Sequence, residues 1–522
     1  LYFTVTVRSV SISPETLLKG AAIGVGSALV AALGPAYEAT TTPPAGTLRR
    51  SDIENKVRGA IPLATGLGVV LVLASAAALA FQQQASRLPV GVSRLPAGVS
   101  FAGLFGIVVG FSLFTPLVAL ALMATLRPAL GRLLGVLGRM APRSILRSLS
   151  RTSVAVAALM VAVSVIVGVS AMVGSFRNNV QDWLTSTIRA DILISPPSIA
   201  ANRQEIPVDP AIVGEIARHP EVAQIITGRD VTVSRPGDIL PVYLSAANAD
   251  VSLGHRRYVW AIGDGAKVWD AMGRGAILIS EAFARKHGVP IGAGQNLALH
   301  TDHGDRTFPI VGVIYDYSTD QGSVLMRDTV YQANWDDNAI STLGLYVKPG
   351  TDIPKLIAAL RAEFAGRQDL KIQSNADLLR SVLHVFDQTF AITTALNLLA
   401  TVVAFIGILS ALMALQLERT REIGTMRANG MTRRQLFGMT LLETGLMGAI
   451  AGVMSVPVGT VLAWILVYII NVRSFGWTLQ LELRPEFYAQ ALIVALAAAL
   501  LAGIYPALRM GQIQPALALR SE

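Results

Sequence analysis

The sequence predicts a polytopic α-helical membrane protein carrying a mixed α+β extracytoplasmic domain. Three observations predict it. Hydrophobic residues make up 52% of the 522 and charged residues only 15%, with a mean hydropathy of +0.53, values that do not suit a soluble chain. Apolar runs long enough to cross a bilayer recur near both ends, while residues 176 to 388 read as a soluble domain. The surplus of arginine lies in short segments beside the apolar runs, as membrane orientation requires.

That placement accounts for the net charge of +9 and argues against nucleic acid as a partner. The absence of cysteine rules out disulfides and thiolate metal sites, and the six histidines are scattered. No Walker-type G-x-x-x-x-G-K-[ST] occurs, so the chain is not expected to hydrolyse ATP, to be an enzyme or to hold a cofactor of its own.

Residues 17 to 37 form the first apolar span, rich in small residues that favour close helix packing. Adding 471 to the numbering superimposes Pro14-Glu15 on Pro485-Glu486, Pro35-Ala36 on Pro506-Ala507, Pro44-Ala45 on Pro515-Ala516 and Leu48-Arg49 on Leu519-Arg520. Identities at one fixed offset point to an internal repeat. Residues 1 to 38 are therefore expected to be the last helix of a truncated first module. Spans at 60–81 and 99–124 form a two-helix hairpin over 59–126. Segment 127–152 carries Arg127, Arg132, Arg139, Arg143, Arg147 and Arg151 with no acidic residue, and reads as an amphipathic helix on the membrane surface. A span over 153–175 follows.

Between 176 and 388, short runs rich in β-branched residues (DILISP, VAQIITG, VTVS, LPVYLSAA, GAILIS, FPIVGVIYD, STLGLYVKP) alternate with helical stretches (PAIVGEIAR, SEAFARKHG, PKLIAALRAEFAG). The expectation is an α+β domain with two lobes. Asp316, Asp320 and Gln321 form a polar cluster after a strand, a turn satisfied by its own side chains or, less ordinarily, a catalytic carboxylate pair. Residues 389 to 522 hold three more spans, at 392–416, from Leu441 to Ile470 with an interruption at Pro457, and at 487–508. The loop 471–486 carries aromatic residues suited to an interface.

The segments 38–58, 127–152, 417–440 and 509–522 hold seventeen basic residues between them, whereas the loops 82–98 and 471–486 hold two each. Seven spans fit this asymmetry with the large domain outside and the C-terminus inside, in a bacterial cytoplasmic (inner) membrane. Segment 417–440, LERTREIGTMRANGMTRRQLFGMT, is then a cytoplasmic contact element. Ile423, Met426, Leu436 and Phe437 supply an apolar face, Gly424 permits close approach, and Gly430 permits a turn between two helical pieces. An ordinary positive-inside loop with a surface helix is the plainer alternative.

Residues 417 to 470, with RTREIGTMRANGM followed by RRQLFGMTLLETGLMGAIAG, resemble the signature region of the FtsX-like permease family, the membrane subunits of ABC systems of MacB and LolC type. The resemblance extends over the second module, and within the outer domain to GAILISEAFARKHGVPIGAGQNLAL. It implies ten-helix duplicated members with most of the first module missing here. It implies a cytoplasmic ABC ATPase partner, a dimer, which holds ATP and Mg, and a contact through Arg419, Arg421, Glu422, Gly424, Arg427, Gly430 and Arg434. Export or extraction of lipids, lipoproteins or other amphiphiles is the implied activity, with a periplasmic or outer-membrane partner beside the lipid bilayer. The alternative is a mechanotransmitting protein that controls a cell-wall hydrolase or a sensor and moves no solute. A membrane-anchored enzyme with its site in 176–388 lacks a nucleophile–base or metal pattern.

Overall fold

The structure is a computed structural model and describes residues 14–41, 50–85, 97–197, 206–249 and 256–512. Its helices and strands, in chain order, are α1 (Pro14–Thr41), α2 (Arg50–Ala85), α3 (Ala97–Ser112), α4 (Thr115–Leu133), α5 (Gly135–Arg147) and α6 (Leu149–Thr187). The extracytoplasmic domain follows as β1 (Ile192–Ser195), α7 (Pro210–Ala217), β2 (Val222–Val233), β3 (Val242–Ala247), β4 (Tyr258–Ala261), α8 (Gly265–Gly273), β5 (Ile277–Ser280), α9 (Glu281–Lys286), β6 (Asn296–Thr301), β7 (Gly304–Ile314), β8 (Val324–Arg327), α10 (Asp328–Gln332), β9 (Thr342–Val347), α11 (Ile353–Phe364) and β10 (Lys371–Ser374). The chain then returns through α12 (Asn375–Ala428), α13 (Arg433–Ile465), a π-helical turn (Leu466–Asn471), α14 (Val472–Phe475) and α15 (Pro485–Gln512). Six helical stretches among the described residues are long and apolar enough to cross a membrane.

Small residues set the helix packing. A Cβ on Gly168 would lie 2.8 Å from Leu462 Cβ, and one on Gly459 would overlap Val167, so α6 and α13 meet backbone to backbone. Gly448 does the same for α13 and α15, where a Cβ would stand 2.6 Å from Ala499. The shared core runs through Leu159, Val163, Ile450, Val458, Ala495 and Ala499. Under the 471-residue offset, the first residues of α1 and α15, Pro14 and Pro485, occupy equivalent positions.

Several expectations are corrected. The span at 99–124 lies within one membrane-crossing stretch, Gly98–Leu133, but is built of two helices, α3 and α4, broken at Leu113–Phe114 just before Pro116, which cannot donate a backbone hydrogen bond. The segment 127–152 is not one helix. Its start continues α4, Gly135 at φ 59 turns the chain, α5 forms the amphipathic piece, and α6 begins at Leu149. Pro457 does not interrupt the sixth span, which starts at Arg433 and runs unbroken to Ile465. The helix continues through the missing donor, packed by α6 and α15, and the departure from α-helix comes later, at the π turn. The boundaries at 176 and 388 fall inside α6 and α12, which carry the membrane helices up into the outer domain.

In that domain ten strands form one sheet in the order β10-β1-β9-β2-β3-β8-β5-β7-β4, with β6 paired to β7. Neighbours are antiparallel except β3 with β8 and β5 with β7. VAQIITG and VTVS are a single strand, β2, with an irregularity between Val222 and Gln224. Three apolar centres pack on the sheet. One sets α7 and α11 (Ile212, Ile216, Leu356, Leu360) on β1 and β9; a second gathers Val242, Leu244, Ile277, Phe283 and Val324; a third sets α8 (Val268, Met272) on Leu278, Val311 and Leu325.

Candidate functional site

At the basic end of the bundle the chain reverses between α12 and α13. The backbone N–H of Asn429 closes on Thr425 O at 3.0 Å, and Gly430 turns at φ 92, a left-handed conformation that favours glycine. Thr432 then caps α13: its Oγ1 accepts from the N–H of Gln435, whose Oε1 accepts from the N–H of Thr432. Ile423 and Leu436, each 3% exposed, close the hairpin over Met431. The hairpin is thereby fixed in shape while its tip faces outward.

Of the residues singled out by sequence, Gly424 is buried, Arg427 half-buried, and Gly430 and Arg434 exposed at the tip. Arg419, Arg421 and Glu422 fall on α12 before Ile423, and their side chains lie outside the described residues. Sequence reasoning missed the third wall. Met140, Arg143 and Arg147 of α5 face Ile423, Met426, Leu436, Met439 and Glu443 across a cavity of about 190 Å³. The acid-free arginine run was the available signal, but nothing in it specified docking on this hairpin.

The opposite end holds a second feature. The segment between α14 and α15 lies against both α6 and the outer domain. Asn179 of α6 exchanges hydrogen bonds with the backbone of Gln480, donating to its carbonyl at 2.8 Å and accepting from its N–H at 3.1 Å. Ser175 Oγ accepts from the N–H of Glu482 at 2.9 Å. Glu281, at the head of α9, is 2% exposed and accepts from Thr478 N–H, Thr478 Oγ1 and the Arg285 guanidinium. A buried carboxylate needs such partners. Tyr317 donates its hydroxyl to Thr478 O at 3.1 Å. Burial, and then the nearby Glu281, push the phenol well above its ordinary pKa, so it remains a donor. Arg257 reaches both Asp182 on α6 and Gln480. The loop whose aromatic residues suggested an interface thus supplies Trp477, buried with Ala282 of the outer domain and Val467 below it.

The polar cluster after β7 is a turn satisfied largely by its own neighbourhood. Asp316 accepts from Ser323 Oγ and from Ser318 N–H, and Asp320 pairs with Lys286 at 3.0 Å.

Comparison with known proteins covers both halves. Residues 152–363 match the model of a MacB-like periplasmic core domain, and residues 394–515 that of the FtsX-like permease C-terminal region. An uncharacterised ABC transporter permease protein of Mycobacterium tuberculosis is 44% identical over the whole of this chain, which spans 60% of that relative. The macrolide export ATP-binding/permease protein MacB of Nitrosomonas europaea is 26% identical over 44% of the chain and 35% of its own length. An uncharacterised ABC transporter permease of Methanocaldococcus jannaschii is 22% identical over 42% of the chain and 56% of its own.

Proposed function

We propose that the chain belongs to the FtsX/MacB-like permease family and is the permease subunit of an ABC-type complex that couples a cytoplasmic ATPase to the extracytoplasmic domain. One observation carries the reading. α12 is a single helix of 54 residues from Asn375, beside the outer sheet, to Ala428, at the turn of the basic hairpin. At 1.5 Å per residue it is about 80 Å long, against about 30 Å for a bilayer's hydrocarbon. Movement imposed on the hairpin by a partner therefore reaches the outer domain through one element.

The ATPase, a dimer holding ATP and Mg, docks on the α12–α13 tip with the basic face of α5 beside it, in a cytoplasmic membrane with the outer domain facing away from the cytoplasm. Arg419, Arg421, Glu422, Gly424, Arg427, Gly430 and Arg434 belong to that contact. The substrate class is an amphiphile, exported or extracted at the outer face, with a periplasmic or outer-membrane partner. An apolar face of α12 (Ile392, Leu396, Leu399, Val403) is exposed within the membrane-crossing stretch, and the macrolide export named for one relative falls in the same class.

The test is co-purification with a soluble ATPase. The complex is expected with the unaltered chain and is lost when Glu422 and Arg427 are reversed in charge. A complex that survives both changes overturns the contact. In reconstituted vesicles, ATP-driven motion of the outer domain without release of any amphiphile would instead favour a regulatory role.

A further inference from the structure

We propose that the elbow joining α4 to α5 docks on anionic phospholipid at the membrane interface, with Leu133, Leu134 and Val136 entering the edge of the acyl layer and Arg132 and Arg139 holding headgroup phosphates. The elbow has a fixed shape. Gly135 turns the chain at φ 59, and Gly138, where a Cβ would overlap Leu130 O, brings α5 back against the last turn of α4. The stem of Arg139 is thereby laid over Gly131, its Cγ 2.7 Å from where a Cβ there would stand, beside Arg132.

Three apolar side chains project from this turn. Leu133 is 81% exposed, Leu134 50% and Val136 65%, while the apolar face of α5 itself, Ala141, Pro142 and Ile145, is buried in the protein. Water is a poor surrounding for such a group, and the boundary between headgroups and acyl chains is a suitable one. The depth fits. Met140 and Arg143 of α5 share a cavity wall with Leu436, Met439 and Thr440, the first turns of α13 after Arg433 and Arg434, where that helix passes from charged to apolar residues. The stretch Gly98–Leu133 that leads to the elbow has 36 residues. That is about 54 Å of helix against about 30 Å of hydrocarbon, enough to cross the acyl layer and reach the headgroups.

Charge names the lipid. Residues 127–152 contain no acid, and neither Arg132 nor Arg139 meets a carboxylate among the described residues. Two unneutralised guanidiniums close together repel one another, and a phosphate between them replaces that repulsion with charge-assisted hydrogen bonds. A zwitterionic headgroup brings a cation along with its phosphate and serves less well. Long arginine stems keep the charged ends among phosphates while the apolar residues between them sit deeper.

The chain has no native cysteine, so Leu134→Cys and Val136→Cys each take a single nitroxide label. The full chain is reconstituted without ATPase into bilayers of phosphatidylcholine, with or without phosphatidylglycerol. Power-saturation EPR then compares collisions with oxygen, which partitions into the acyl layer, and with a water-soluble nickel chelate. In bilayers containing phosphatidylglycerol the elbow labels are expected to be open to oxygen and shielded from nickel. A label at Ile239→Cys, a fully exposed position of the outer domain, should stay open to nickel throughout. Omitting phosphatidylglycerol, or combining Arg132→Gln with Arg139→Gln, should each shift the elbow labels towards water, with the unfolding temperature of the variant unchanged. Elbow labels open to nickel in the anionic bilayer would overturn the proposal, as would a depth indifferent to headgroup charge or to the two arginines. Shielding that arises only when an ATPase subunit is added would overturn it in favour of a protein contact.

Discussion

The backbone N–H and the hydroxyl of Thr478 both donate to the carboxylate of Glu281, at 2.8 and 2.6 Å. The segment that follows α14 is thereby clasped to the head of α9, 197 residues earlier in the chain. Thr478→Val removes one of the two bonds and is expected to destabilise the protein by about 1–2 kcal/mol. Glu281→Ala strands both Thr478 donors and the Arg285 guanidinium, and should cost about 3 kcal/mol or more. Denaturant unfolding of the two variants and of the double variant measures the coupling. Strictly additive losses would show that the clasp does not act as a unit.

Glycine packing between α6 and α13 sets a second expectation. Gly459→Leu drives a side chain into Val167 and towards Ser164 O, 3.0 Å from where its Cβ would stand, and should lower stability by about 3 kcal/mol or prevent folding. Gly407→Leu on α12 meets open space and is the control, expected to change stability by less than about 0.5 kcal/mol. Thermal unfolding in one detergent compares them; equal losses would contradict the close crossing.

Acid should reveal the pair between Arg229 and Asp337 in the outer domain, 2.7 Å apart. Burial alone would raise the Asp337 pKa, but hydrogen bonds from the Ala339 N–H, Arg229 and Tyr331 outweigh it and hold the carboxyl below its ordinary value. A carboxylate with a depressed folded pKa contributes stability that is complete above the unfolded value, about 3.9, and is lost as pH falls through the folded one. Asp337→Asn is expected to cost about 1–3 kcal/mol at pH 7. Its deficit relative to the unaltered protein should shrink below about pH 4. A deficit that stays constant down to pH 3 would rule out the pair as its source.

The hairpin tip offers a fourth test. Gly430→Ala places a side chain at φ 92 and should cost about 1–2 kcal/mol locally. Thr432→Ala removes the cap of α13, for about 1 kcal/mol. Hydrogen exchange over residues 429–436 is expected to accelerate in both, with exchange in the outer sheet unchanged.

Much of this was readable in advance, and the reasons for the remainder are physical. The apolar runs mark the six described stretches that are long and apolar enough to cross a membrane, because bilayer thickness acts along the sequence itself. Gly430 was legible as a turn for the same local reason. The break at Gly135 was not, since glycines within helices are common here and only φ distinguishes this one. Strands β4, β8 and β10 have four residues each, as β1 and β5 do, but lack the paired isoleucines that mark those two in the sequence, and they exist because a neighbouring strand pairs with them. The clasp of Glu281 on Thr478 and the docking of α5 on the hairpin join distant stretches through single side chains, which leaves no periodic trace.

The length of α12 has a geometric consequence. A continuous helix of about 80 Å converts angle into distance: a tilt of about 5° about its foot carries its tip through about 7 Å. That exceeds the spacing of neighbouring strands, about 4.8 Å. Because β10 runs directly into α12 and is hydrogen-bonded to β1 at the sheet's edge, such a swing is large enough to shift that edge by more than one strand spacing.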